Sequence, residues 1–345
     1  MPNKIVTLAL QGGGSHGAYT WGVLDRLLED GRIDIEGVSG ASAGAMNAVV
    51  MAHGYLENGR DGARAALARF WGGLGTQDTQ FFTAPDFSGF GQGILPSVTS
   101  SVTPGIMDAY LTMSRFFAPT QLNPFNVNPL RDMLVAQIDF ERLRQPSALK
   151  LFIAATQVST GTLKIFRNQQ LTLDSLLASA CLPSVHHPIT IDGEIYWDGG
   201  FTANPPIFPL LHLCGARDIM VLLLHPCRRP DNPVTAEAIV QRISEIGFSA
   251  AFFAELGGLA LAKREAERGM FAFGSLERRL RNLNMHVIDA NDTMSELNAS
   301  SKMDVRASFL SDLFEQGRDR AELWLKEHYS RIGVRSSFDL SRYLQ

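Results

Sequence analysis

Residues 4–44 read KIVTLALQGGGSHGAYTWGVLDRLLEDGRIDIEGVSGASAG. Two apolar, β-branched runs in this stretch, Lys4–Leu10 and Ile33–Val38, each lead into a glycine-rich turn. A helical pattern of apolar residues follows each turn, which predicts helices over Gly17–Glu29 and Ala43–His53. Because strands that alternate with helices form parallel sheets with right-handed crossovers, the sequence predicts an α/β fold.

The first turn is Gly12-Gly13-Gly14-Ser15-His16-Gly17, and it permits two interpretations. It fits G-x-G-x-x-G, the phosphate-binding turn of dinucleotide-binding enzymes, which also needs an acidic residue about 20 positions later. Asp34 and Glu36 stand near that distance, but both lie inside the predicted second strand rather than at its end. In a hydrolase, the same turn would direct backbone N–H groups, best those of Gly13 and Gly14, at a developing oxyanion.

The second turn is Gly40-Ala41-Ser42-Ala43-Gly44, and it matches G-x-S-x-G. In that motif a serine occupies a tight strand-to-helix corner, with its hydroxyl exposed at the edge of the sheet. The small residues beside Ser42 suit such a corner, and the N-terminus of the following helix favours a developing negative charge. An ordinary helix cap would also explain this serine. Together, the two turns favour a nucleophilic serine in an acyl hydrolase.

A serine nucleophile needs a base, and the sequence offers histidine or aspartate for that role. Of the eight histidines, only His186 and His187 stand near other residues of interest. Asp198 follows them at the end of an apolar run, in Tyr196-Trp197-Asp198-Gly199-Gly200. A carboxylate that acts directly as the base needs a pKa raised by desolvation. The alternative is that Asp198 closes the strand as an ordinary turn residue.

These motifs resemble, in their order and rough spacing, those of the bacterial type of the patatin-like phospholipase family. The resemblance rests on Gly12–Gly17, Gly40–Gly44, Asp198–Gly200 and Asn204-Pro205-Pro206, and it covers about residues 4–210. It implies a three-layer α/β/α sandwich with a mostly parallel central sheet. It also implies a lipid acyl hydrolase that uses neither a metal ion nor another cofactor.

The resemblance assigns a role to each matched residue. Ser42 would be the nucleophile, and Asp198 would be its base without the help of a histidine. The backbone of Gly12, Gly13 and Gly14 would form the oxyanion hole.

One position of the first turn departs from the family pattern. An arginine or lysine is usual just before the last glycine of that turn, and this chain has His16 there. Since histidine is mostly neutral at pH 7, the departure bears on head-group preference more than on the Ser–Asp pair. We expect His53, His186 and His187 to be structural or surface residues.

Composition also predicts how the chain is organised. We expect one domain over residues 1–330 and a C-terminal tail over 331–345. An insertion at about 75–130 is rich in Phe and Pro and poor in charge. That composition fits either a cap over an apolar substrate pocket or an irregular surface insertion packed by its own aromatic residues. From about residue 232 the chain is mainly helical, with helices predicted over Thr235–Phe248 and Ala250–Arg268.

Charge and cysteine usage narrow the classes of function and location. The 31 basic and 35 acidic residues give a net charge of -4, which supplies no electrostatic reason to expect a nucleic-acid partner. The three cysteines lack metal-ligand spacing and indicate free thiols in a reducing compartment. No cleaved signal is visible, and the apolar run Ile246–Ala262 is interrupted by Glu255 and Gly257-Gly258. This run predicts a buried core helix rather than a membrane span, and we expect a cytoplasmic protein.

The predicted function is a serine lipid acyl hydrolase of the phospholipase, lysophospholipase or esterase type. Its substrate would be an acyl ester with a long apolar part, met in transient contact with a membrane surface. One alternative is the hydrolysis of another hydrophobic ester, such as a polyhydroxyalkanoate or a storage lipid. Two others are a nucleotide-binding oxidoreductase built on Gly12–Gly17 and a lipid-binding protein without turnover. The sequence does not specify an oligomeric state.

Overall fold

The structure is a computed structural model that describes residues 2–76, 118–146, 149–225, 232–269, 274–297 and 299–344. The insertion predicted at about 75–130 lies largely outside these ranges, so its role as a cap stays a prediction. Cys227 lies outside them as well.

A central sheet of eight strands runs through the described part of the chain. The strands are β1 Lys4–Leu10, β2 Ile33–Gly40, β3 Lys150–Gln157, β4 Thr162–Arg167, β5 Ile189–Ile191, β6 Glu194–Asp198, β7 Asp218–Leu223 and β8 Asn284–Asp289. Their order across the sheet is β5-β6-β3-β2-β1-β7-β8, and β4 pairs with β3. Strands β3, β2, β1, β7 and β8 pair in parallel, whereas β4, β5 and β6 join through antiparallel pairs.

The α-helices of the described ranges follow the strands along the chain. They are α1 Gly17–Asp30, α2 Ala43–Thr76, α3 Pro119–Leu122, α4 Pro129–Gln137, α5 Phe140–Leu143, α6 Leu173–Ser179, α7 Phe208–Leu213, α8 Ala236–Arg268, α9 Ser275–Asn282, α10 Asn291–Ser295 and α11 Ala307–His328. The predicted helix starts at Gly17 and Ala43 are both confirmed, since each helix begins directly after its glycine-rich turn.

Separate apolar clusters cover the two faces of the sheet. Strand β7 shows the pattern, because Met220 and Leu222 pack into the cluster that contains residues of α1, α2 and α11. Ile219 and Val221 point the other way and pack with residues of α7, α8 and α9. A strand buried on both faces reads as a continuous apolar run, as β7 does. The prediction of a three-layer α/β/α sandwich with a mostly parallel sheet is confirmed.

Helix α8 differs from the sequence-based prediction in two respects. The two helices predicted over Thr235–Phe248 and Ala250–Arg268 form one continuous helix. The expectation of a buried core helix is also wrong, because only 28% of the most apolar 18-residue stretch of α8 is buried. Apolar content does not by itself imply burial, and many of the apolar side chains of α8 face outward. Among the described helices, α8 alone is long and apolar enough to cross a membrane, by length and composition only.

Candidate active site

Ser42 occupies the corner between β2 and α2. Its φ is +53°, in the left-handed region that a residue with a side chain rarely adopts. The corner is tight, because a Cβ added to Gly44 would lie 2.1 Å from the carbonyl oxygen of Leu10 on the neighbouring strand. The second glycine of the G-x-S-x-G motif is therefore required by the close approach of α2 to β1.

The backbone of Ser42 is held by a residue that sequence reasoning did not identify. The Ser42 amide donates hydrogen bonds to the carbonyl oxygen and to Oγ of Ser179, at 3.0 Å each. Ser179 is the last residue of α6 and is fully buried. Since the two serines are far apart in the sequence, no local pattern marks Ser179 as a support for the corner.

Asp198 reaches the same edge of the sheet through β3. Gly40, at the end of β2, pairs with Ile153, and two residues later Ala155 pairs with Asp198 at the end of β6. The Asp198 side chain is fully buried, and its Oδ1 accepts a 2.7 Å hydrogen bond from the amide of Gly200. Its Oδ2 atom has no hydrogen-bond partner among the described residues.

The surroundings of Asp198 change its acidity. Desolvation by burial raises the pKa of Asp198 to about 7, against smaller lowering effects from the Gly200 amide and the Ser42 hydroxyl. The Ser42 hydroxyl therefore lies near this carboxylate, although no hydrogen bond of standard geometry joins it to Oδ2. The structure brings together the two side chains that the sequence singled out, and a base with such a pKa suits proton transfer near neutral pH.

The glycine-rich turn packs directly against the serine corner. A Cβ added to Gly12 would lie 2.6 Å from the carbonyl oxygen of Ala41 and 2.7 Å from Cβ of Ser42. The Gly12 amide, however, donates a 2.7 Å hydrogen bond to Oδ1 of Asn204. Of the three glycines predicted as oxyanion donors, Gly12 therefore has its N–H engaged. Within the described residues, the amides of Gly13 and Gly14 donate to no other group.

Asn204 and Gln11 link the two halves of the site. Besides accepting from Gly12, Asn204 accepts a 3.1 Å hydrogen bond at its backbone carbonyl from Nε2 of Gln11. Oε1 of Gln11 accepts the amides of Leu224 and His225, just beyond β7. Both side chains are buried. The sequence motif included Asn204, but it gave no role to that side chain or to Gln11.

His16 is buried rather than presented to a substrate. Its Nε2 lies 2.8 Å from Oγ of Ser301, and burial together with the charge of Lys302 lowers the pKa of His16 to about 3. The expectation of a neutral side chain at this position thus agrees with its surroundings. The carbonyl of Lys302 also lies against Gly14, so the C-terminal region contributes to the packing of the glycine-rich turn.

The remaining histidines of interest have partners away from the Ser–Asp pair. His186 accepts the amide of Leu182 at Nδ1, and burial lowers the pKa of His186 to about 4. Nε2 of His187 lies 2.7 Å from the carbonyl oxygen of Asn123. These contacts hold the segment between α6 and β5, which fits the structural role expected for both histidines.

The two acidic residues considered for a dinucleotide site serve the fold instead. Asp34 forms an ion pair with Arg60, and Glu36 accepts hydrogen bonds from Lys150 and from the amides of Gly215 and Ala216. Both lie within β2, which ends at Gly40. Neither carboxylate is placed at the end of the strand, where a ribose would be bound.

Comparison with known proteins assigns the family. No curated protein matches the chain. Among solved structures, the chain is similar to the crystal structure of VipD from Legionella pneumophila, with 16% identity, a TM-score of 0.47 and coverage of 95% of this chain and 68% of that one. The model of the family described as "Patatin-like phospholipase" matches residues 8–211, which is more than half of the chain. The chain therefore belongs to the patatin-like phospholipase family, a family of lipid acyl hydrolases.

Proposed function

We propose that this protein is a serine lipid acyl hydrolase of the phospholipase, lysophospholipase or esterase type, with Ser42 as nucleophile and Asp198 as base. One observation carries the proposal. A serine at φ +53° on a strand-to-helix corner lies near a fully buried carboxylate whose pKa is raised to about 7 and whose Oδ2 has no partner among the described residues. An unpartnered buried carboxylate oxygen is costly unless a function retains it.

In the acylation step, Oγ of Ser42 forms a bond to the ester carbonyl carbon, and its proton passes to Asp198. The carbonyl oxygen becomes an oxyanion, for which the amides of Gly13 and Gly14 are the proposed donors. The start of helix α2, directly after Ser42, also favours this negative charge. When the tetrahedral intermediate collapses, the ester bond breaks and the alcohol leaves with the proton held by Asp198.

In the deacylation step, Asp198 takes a proton from water, and the resulting hydroxide attacks the carbonyl carbon of the acyl-enzyme. The bond to Ser42 then breaks, the fatty acid is released, and the proton returns to Oγ of Ser42. A single carboxylate thus serves as base and acid in turn, which requires a pKa near the working pH. Desolvation at Asp198 supplies that condition.

The direct test is hydrolysis of a p-nitrophenyl ester by variants of the two side chains. We expect Ser42→Ala and Asp198→Asn each to lower kcat/KM by at least about 1,000-fold, because each removes a group that acts in every turnover. Asp192→Asn is the matched control for the aspartate, since Asp192 lies on the exposed turn of the same β5–β6 hairpin. Activity in either active-site variant close to that of the control would contradict the Ser–Asp pair.

The proposal extends to the class of substrate, which a panel of lipids tests. Phospholipid, lysophospholipid, triglyceride and polyhydroxyalkanoate are compared, and we expect the highest kcat/KM for a phospholipid or lysophospholipid. Preference for the polyester or the triglyceride would favour the alternative hydrolase. Binding of a nicotinamide cofactor without reaction of Ser42 with a fluorophosphonate would favour the oxidoreductase, and lipid binding without turnover would favour a carrier.

The free, buried thiols of Cys181 and Cys214 fit a reducing compartment, and we place the activity in the cytoplasm.

A further inference from the structure

Helix α8 buries one apolar side in the core but also exposes aliphatic residues to solvent. An ordinary surface helix turns apolar residues to the core and charged residues to solvent. On α8, Glu245 is 7% exposed, whereas Ile243 is 65% exposed and Val240 is 53% exposed. The exposed aliphatic residues of this helix are Ile239, Val240, Ile243, Ile246 and Leu261, here called the α8 apolar face.

The α8 apolar face is uncharged along most of the helix. Apart from Arg242, whose side chain is 35% exposed and pairs with Glu245, the residues that face solvent from 238 to 261 are uncharged. The positions between the aliphatic residues are mainly Gly and Ala. From Ile239 to Leu261 the helix rises about 33 Å at 1.5 Å per residue. An exposed apolar surface of this extent marks an interaction site rather than an ordinary solvated helix.

The two carboxylates of this stretch are directed toward the protein, whereas the Arg242 side chain is 35% exposed. Glu245 forms an ion pair of 3.2 Å with Arg242. Glu255 accepts hydrogen bonds from the amides of Ile207 and Phe208 at the start of α7. The ion pair lies within α8, whereas the Glu255 bonds fix α8 to the domain. The inner side of the helix packs in the apolar core through residues such as Phe252. The helix therefore cannot leave the fold to cross a bilayer without breaking buried polar contacts.

Helix α8 contacts the turn that follows Asp198 of the candidate active site. Phe248 of α8 packs on Phe201, with ring centroids 4.6 Å apart, and its ring leaves no room for a side chain at Gly200. Gly200 donates its amide to the carboxylate of Asp198. Phe201 itself is 39% exposed, so an apolar surface extends from the helix to within three residues of Asp198.

We propose that the α8 apolar face docks on the surface of a lipid bilayer, with the helix parallel to the membrane plane. The inference rests on the proposed function, because it places the candidate active site against the lipid that it would hydrolyse. An uncharged aliphatic face fits the boundary between head groups and acyl chains, where apolar helix faces insert. Since the aliphatic residues of this face are uncharged and the partly exposed Arg242 is paired with Glu245, we expect docking to require neither anionic lipid nor low salt.

Flotation with phosphatidylcholine vesicles tests this proposal on the full chain. The Ser42→Ala background keeps the vesicles intact. We expect the added double substitution Ile243→Glu and Ile246→Glu to weaken vesicle binding by at least about tenfold, since it replaces two exposed aliphatic side chains with charges. The matched control is Leu323→Glu, which places the same charge at an exposed leucine of α11, on the opposite layer. It should bind as the parent does.

The readouts separate this inference from the proposed function. Circular dichroism and the melting temperature check that the double variant is folded, which we expect because Glu is a good helix former at exposed positions. Equal vesicle binding by the double variant and the parent would overturn the inference. A loss of vesicle binding by the Leu323→Glu control as large as that of the double variant would also overturn it. A parent that sediments as a dimer and a double variant that sediments as a monomer would overturn it in favour of self-association. Failure of ester hydrolysis by the unmodified protein, with vesicle binding intact, would contradict only the proposed function.

Discussion

At the scale of single residues, the buried Asp198 carboxyl makes a prediction about stability. Its pKa is raised from 3.8 to about 7 in the folded protein, so the folded state binds this proton more tightly than the unfolded chain. The contribution of Asp198 to stability is therefore greatest at low pH and is lost as the pH rises from 3.8 through about 7. We expect Asp198→Asn to raise the free energy of unfolding by up to about 4 kcal/mol near pH 8 and to change it little near pH 4.

Urea denaturation at the two pH values measures this effect. The Asp192→Asn variant serves again as the control, because that exposed side chain has no burial cost to relieve. An Asp198→Asn protein no more stable than this control near pH 8 would show that the carboxylate is not desolvated as described.

The same pKa predicts the pH dependence of the reaction. The base must be ionised to accept the Ser42 proton, so kcat/KM for a soluble ester should rise with pH and level off above about 7. A stopped-time assay with a p-nitrophenyl ester, corrected for the ionisation of the product, measures this profile. A profile that is flat from pH 5 to pH 9 would contradict the assignment of Asp198 as base.

At the scale of the elements, the site is assembled from the turns that follow β1, β2 and β6. Asn204, which comes after β6, joins its own turn to the glycine-rich turn after β1. Its Oδ1 holds the Gly12 amide at 2.7 Å. We expect Asn204→Ala to lower kcat by about 10- to 100-fold with little change in KM, because it displaces the glycine-rich turn from the serine corner. The buried amide of Gly12 would also lose its partner.

Steady-state kinetics with a soluble ester measure the Asn204→Ala effect. Asn282→Ala is the matched control, since among the described residues the Asn282 side chain bonds locally, to the Arg278 carbonyl of helix α9. A change confined to KM would indicate that Asn204 contacts the substrate instead of positioning the turn.

The elements also explain which parts of the site could be predicted from the sequence. Strand β1 is found at its predicted bounds, because a run of apolar residues before a glycine turn is a local signal. Ser42 and Asp198 carried similar local signals in their turns. Ser179 and Gln11 did not, because their roles depend on backbone groups that only the folded chain brings near. The outward face of α8 was missed because apolar content does not reveal which side of a helix is buried.

At the scale of the whole molecule, the C-terminal helix α11 completes the layer that covers one face of the sheet. It crosses α1 so closely that a Cβ added to Gly317 would lie 2.1 Å from the carbonyl oxygen of Tyr19. We expect Gly317→Val to lower the free energy of unfolding by about 3 kcal/mol, because the two helices must separate to admit the side chain. Since the predicted single domain over residues 1–330 includes both helices, unfolding should stay one transition.

Thermal and urea unfolding measure the Gly317→Val effect. Gly72→Ala is the control, because Gly72 lies in α2 with no atom within 4 Å of an added Cβ, and alanine favours helix there. A first transition that loses only α11, with the sheet intact, would contradict the expectation of a single domain.

The most direct measurement for the central claim is the site of covalent reaction with a fluorophosphonate, read by mass spectrometry of the digested protein. We expect one adduct, on Ser42, that is absent from Ser42→Ala and forms at least about 100-fold more slowly in Asp198→Asn. An adduct on another serine, or equal rates of labelling in the parent and Asp198→Asn, would contradict the Ser42–Asp198 pair.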